Sequence, residues 1–103
     1  LNRALCFFEI MKIYIDWKKI DKVDEFYSQL LPQLEAPDWH GRNLDALSDS
    51  LVTGSINEIE PPFCIINLNV ESLTEEFKGF FLAVNEIYKE ATSGGRKIRV
   101  FNE

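Results

Sequence analysis

Histidine and cysteine are almost absent: the chain holds one of the first, His40, and two of the second, Cys6 and Cys64. A zinc site needs three or four Cys, His or carboxylate ligands at short spacing, and these isolated residues offer neither that set nor a disulfide framework. No G-x-G-x-x-G or phosphate-loop pattern occurs, so no cofactor is expected. A run of about eighteen apolar residues is also lacking, and with it any expectation of a membrane partner. Lysine and arginine are missing altogether between Asn43 and Phe77, which weighs against nucleic acid as a partner, because phosphate binding depends on those side chains. The single methionine is Met11. Residues 1–10 therefore read as a leader or non-native extension ahead of one domain over residues 11–103. The apolar stretch Ala4-Leu5-Cys6-Phe7-Phe8 is too short for a secretory signal.

What is present is enough for one core. The hydrophobic fraction is 46% and the aromatic fraction 13%, which excludes a disordered chain and fits a compact fold. The formal net charge is −6, and it is concentrated. Between Asn43 and Phe77 lie seven acids, Asp45, Asp49, Glu58, Glu60, Glu71, Glu75 and Glu76. Such a surface attracts a basic protein and speeds encounter with it. Acidity for solubility alone is the other reading.

Hydrophobic periodicity gives the elements. Lys12 to Trp17 alternates and is rich in Ile and Tyr, the pattern of a strand. After Asp21, an expected N-cap, Val23, Phe26, Tyr27, Leu30, Leu31 and Leu34 recur at helical spacing, and Pro32 should kink or end that helix. A second helix is expected from Leu44 to about Thr53-Gly54, with a short turn or helix over Ile56 to Glu60 before Pro61-Pro62 breaks the chain. Phe63-Cys64-Ile65-Ile66-Asn67-Leu68 reads as a strand covered on both faces. Ser72-Leu73-Thr74-Glu75 matches a capping box opening a long helix with the stripe Leu73, Phe77, Phe80, Phe81, Val84, Ile87, Tyr88 and Ala91. Gly94-Gly95 should stop it, and Arg96 to Phe101 reads as a last strand at an edge. Strands separated by helices imply an α/β fold, a small parallel sheet with helical crossovers.

The segment Asp38-Trp39-His40-Gly41-Arg42-Asn43-Leu44-Asp45-Ala46-Leu47-Ser48-Asp49 concentrates the chemistry. Asn43 suits an N-cap, and Leu44, Leu47 and Leu51 form the core-facing stripe of the helix it opens. Asp45 and Asp49 then share the opposite face. A catalytic carboxyl pair needs two environments that push the pKa values apart, and two aspartates on one exposed turn have none. They read either as solvated surface or as a shared binding face. Asp49 repels Asp45 by about 0.2–0.5 kcal/mol and has no basic neighbour within a turn. His40 has no nucleophile or orienting acid placed against it by the sequence, so no enzyme mechanism can be assembled. Trp39, between two prolines and a glycine, is either a lid on the core or an interface anchor.

These residues resemble the corresponding segment of the barstar family, the intracellular inhibitors of barnase-like ribonucleases. That family carries a Pro, an acid, two aromatics, Gly, Asn, Leu-Asp-Ala-Leu and a trailing Asp, matched here by Pro37 through Asp49. The likeness continues weakly from Lys12 to Phe101, including Lys89-Glu90-Ala91 before Gly94-Gly95. The resemblance implies a three-stranded parallel sheet packed by helices, and a non-enzymatic inhibitor of a secreted or contact-delivered ribonuclease toxin, acting as its immunity protein in the cytoplasm. It implies that the Asp49 carboxylate stands in for a substrate phosphate in the toxin's active site, with Asp45 as a second charged contact. Trp39 would pack against the catalytic region, Gly41 and Asn43 would shape the binding loop, and Glu90 would lie at the edge of the interface. His40, Ser48 and Arg42 depart from the family pattern, in which the first two positions are commonly aromatic and the third is acidic in barstar; His40 and Ser48 are kept among the expected partner contacts. The partner is expected to be a basic ribonuclease, and the free protein a monomer. A barstar-fold interaction module with a non-nuclease partner is the alternative.

Overall fold

The computed structural model describes residues 11–103; the expected leader and Cys6 lie outside the described residues. Three strands, β1 (Met11–Asp16), β2 (Phe63–Leu68) and β3 (Ile98–Asn102), form one sheet in the order β1-β2-β3, with both pairs parallel. Parallel neighbours cannot be joined by a tight hairpin, so each connection must cross over the sheet. The first crossover carries α1 (Val23–Gln33) and α2 (Leu44–Ser48), and the second carries α3 (Glu75–Ser93). This is the α/β architecture expected from the order of elements.

Register sets which residues meet. Ile13 pairs with Ile65, and Ile65 with Val100, so these side chains share one face of the sheet. Onto that face pack Phe26, Tyr27, Leu30 and Leu34 of α1, Leu47 of α2, and Val84, Ile87, Tyr88 and Ala91 of α3. As the middle strand, β2 is buried from Phe63 through Asn67, as its mostly apolar run implied. Trp17, just after β1, stacks on Phe26 at 5.5 Å and meets Phe81 edge-on at 5.1 Å, and its Nε1 donates to Asn67 Oδ1 at 2.9 Å.

The free edge of β1 is closed by side chains. Gln33 accepts from Tyr14 N at 2.9 Å and donates to Tyr14 O at 2.8 Å, and Gln29 accepts from Asp16 N at 2.7 Å and donates to Asp16 O at 3.0 Å. Two amides one helical turn apart on α1 thus take the place of a fourth strand, which removes a template for edge-to-edge association.

Several local expectations shift. The N-cap of α1 is Lys22 and not Asp21; Glu25 reaches back to accept from both Asp21 N and Lys22 N, which satisfies this end of the helix without the Asp21 side chain. Pro32 is accommodated in the last turn, and α1 ends one residue later. The cap of α3 is Thr74 and not Ser72, because Val70–Ser72 forms a separate 3-10 turn that delays the helix by two residues. Residues 56–60 are irregular, without the short helix considered for them. Cys64 is disulfide-bonded, so it is not the isolated thiol that spacing suggested.

Candidate functional site

The site begins where α1 ends. The loop between α1 and α2 turns back on itself, with His40 N donating to Pro37 O at 3.0 Å. Asn43 is extended (φ −154°), and its side chain accepts from Ala46 N at 2.8 Å, capping α2 as its residue type predicted. Gly41 passes so close to this helix start that an added Cβ would lie 2.9 Å from the Ala46 Cβ. Only a glycine lets the loop and the helix meet there.

α2 continues directly into a π-helical turn, Asp49–Thr53, closed by Gly54 N donating to Asp49 O at 3.0 Å. The helical run expected from Leu44 to Thr53 is therefore present, but it widens from Asp49 onward. Leu47, Ser50 and Leu51 are buried on its inner side, while Asp45 and Asp49 are exposed. Behind it, Gly54 has φ +86°, and an added Cβ would stand 2.4 Å from an Arg96 guanidinium nitrogen. Arg96 is held by an ion pair with Glu60, whose other oxygen accepts from Ser55 N at 3.1 Å. α3 packs against the same segment.

The carboxylates of Asp38, Asp45 and Asp49 have no hydrogen bond or ion pair with any described residue. Of the seven acids between Asn43 and Phe77, Glu60 pairs with Arg96 and Glu75 with Lys78, and neither belongs to α2. The charge of the acidic helix is thus uncompensated. Arg42, one of the departures from the family pattern, is spent within the fold. Its Nε donates to Asp24 Oδ1 at 2.5 Å, and its terminal nitrogen donates to Asp24 O at 2.9 Å and to Ser28 Oγ. That brace fastens the loop to α1.

Trp39 is 73% exposed, so it is not a lid on the core. The family model described as Barstar (barnase inhibitor) matches residues 10–103. The chain belongs to the barstar family. It is also 32% identical over 80 residues, 78% of this chain and 84% of the relative, to a Bacillus subtilis (strain 168) protein with the printed name "Putative ribonuclease inhibitor YrdF". Barstar-family proteins are inhibitors of ribonucleases and not enzymes.

Of the site residues predicted for this barstar-family chain, Trp39, Gly41, Asn43, Asp45, Ser48 and Asp49 fall within one loop and the helical segment it opens. Glu90 is exposed near the end of α3, and its carboxylate has no partner among the described residues. His40 is 6% exposed, with both ring nitrogens bonded inside the fold. Sequence reasoning missed three residues. Ser50 is 1% exposed and meets His40, and the signal was a polar residue on the buried face between Leu47 and Leu51. Asp24 and Ser28 receive Arg42; nothing in their spacing revealed this, because the contact spans eighteen and fourteen residues of chain.

Proposed function

We propose that this chain inhibits a secreted or contact-delivered ribonuclease toxin as its cytoplasmic immunity protein, plugging the active site with the Asp45/Asp49 helix and the adjoining Trp39 loop. One observation carries the reading: two exposed aspartates, free of internal partners, stand on a braced helical segment of a barstar-family chain. A ribonuclease binds a polyanion and so needs a basic cleft. Carboxylates held ready for Arg, Lys and His groups there form charge-assisted hydrogen bonds, roughly twice as strong as neutral ones. Asp49 takes the place of a substrate phosphate, Asp45 adds a second charge, and Trp39 supplies an aromatic anchor of the kind that dominates interfaces. Gly41 and Asn43 set the loop's path, His40 and Ser48 flank it, and Glu90 lies at the rim. Fast, charge-steered and hot-spot-dominated association is the behaviour of the barnase–barstar pair itself and is inherited with the family. Cys64 sits in the central strand, outside this surface.

Mixing the purified chain with a panel of barnase-type ribonucleases and following RNA cleavage tests it. Stoichiometric inhibition of one of them is expected, with Asp49→Ala weakening it more than any other single change in the segment. Added salt should mainly slow association. Should Asp45→Ala and Asp49→Ala inhibit as well as the wild type, the phosphate-mimic mechanism fails.

A further inference from the structure

His40 is the only histidine of the chain, and it lies inside. Its Nδ1 is 2.7 Å from the Gly41 carbonyl oxygen, and its Nε2 is 2.9 Å from Ser50 Oγ. A carbonyl only accepts, so Nδ1 must carry a proton. Nε2 shares a hydrogen bond with Ser50 Oγ, whose hydroxyl also reaches the Leu47 carbonyl at 3.2 Å and has a single proton to divide between these two neighbours. Among the described residues, this is the one hydrogen bond joining residues 37–42 to residues 44–54.

Its position matters. On one side stands Trp39, 73% exposed and without a ring partner among the described residues. On the other, Ser50 follows Asp49 directly, at the point where α2 passes into the π-helical turn. Arg42 ties the loop to α1 but does not reach the acidic helix. We propose that the His40–Ser50 pair is the positioning device of the inhibitory surface: it fixes the Trp39 loop against the Asp49 turn and so sets the lifetime of the complex without itself touching the partner.

The physical reason is preorganisation. A partner that engages Trp39 and Asp49 together binds only those molecules in which the two are correctly placed, and apparent affinity falls with that fraction. Removing the pair leaves every surface charge in place, so steered association is kept and the loss falls on dissociation. This inference rests on the inhibitor reading above, and its test separates the two.

Four variants are needed: His40→Ala, Ser50→Ala, His40→Gln and His40→Asn. A glutamine amide reaches the place of Nε2 and can bond Ser50 Oγ, whereas an asparagine amide reaches only the place of Nδ1. Amide hydrogen exchange of residues 38–43 is measured on each free chain. Association and dissociation rates are measured against the ribonuclease that the wild-type chain inhibits, with Asp49→Ala alongside. His40→Ala and Ser50→Ala should speed loop exchange and raise koff about tenfold, with kon within about threefold. His40→Gln should return koff to within about twofold of wild type, and His40→Asn should not. Normal exchange and koff in Ser50→Ala, in a protein where Asp49→Ala abolishes inhibition, would overturn the positioning role and leave the site intact. Rescue by Asn but not by Gln would also overturn it. If Asp49→Ala inhibits like wild type, the inhibitor reading falls, and loop exchange alone still judges the His40–Ser50 tie.

Discussion

Asp49→Ala should make the free protein more stable while making it a poorer inhibitor. Asp45 and Asp49 are one helical turn apart, both exposed, and neither carboxylate is bonded to a described residue. Like charges at this spacing cost about 0.2–0.5 kcal/mol. Alanine adds to this its better helix propensity, about 0.5 kcal/mol over aspartate. The gain is then about 1 kcal/mol, or a Tm rise of about 4–8 °C for a chain of this size. Urea titration at low salt and at 1 M NaCl separates the parts, because the Debye length falls to about 3 Å at 1 M and removes the charge term but not the propensity. Asp49→Asn should recover the charge part alone. On the binding side, truncating a buried charged hot spot costs about 2 kcal/mol or more, a range whose upper end is the barnase–barstar complex itself and is inherited with the family. Inhibition should therefore weaken at least about thirtyfold. If Asp49→Ala proves less stable than wild type, the carboxylate has a partner within the fold, and the bare acidic helix is a misreading.

Three further outcomes follow from the packing. Burial pushes the Tyr27 phenol up to about 12, and burial together with the neighbouring Tyr27 raises Tyr88 further. The unfolded chain loses these protons near pH 10 while the folded chain keeps them, so stability should fall as pH rises above 10, by roughly 1.4 kcal/mol per pH unit for each tyrosine. Tyr27→Phe and Tyr88→Phe should flatten that alkaline limb in urea titrations, and cost little near pH 7, since neither hydroxyl has a hydrogen-bond partner. Gly54→Ala combines a φ of +86° with a Cβ 2.4 Å from Arg96; it should cost about 1–3 kcal/mol, visible as a lowered Tm, and a wild-type Tm would refute the packing described. Replacing both Gln29 and Gln33 by Ala should open the β1 edge and produce concentration-dependent association in sedimentation experiments. A strictly monomeric double variant would show that the edge needs no cover.

The sequence by itself determined the strands, the three helices, the parallel α/β class and the segment that carries the charge. Each of these is written in local periodicity or in a short motif: the mostly apolar run Phe63–Leu68, the stripe from Leu73 to Ala91, and Asn43 ahead of Leu44. Exact caps were less legible, since Glu25 reaching back to Lys22, or a 3-10 turn ahead of Thr74, competes locally with an equally good capping residue nearby. The tertiary structure alone decided what each polar side chain in the loop is for. Arg42 and His40 look alike from the sequence, as polar substitutions in a binding loop, yet one is spent on Asp24 and the other on Ser50. Side-chain partners far apart along the chain are chosen by the packing of α1 and the π-helical turn around the loop, and no local pattern records that choice. The same packing leaves Asp45 and Asp49 bare, because no described cation is brought within reach of either carboxylate.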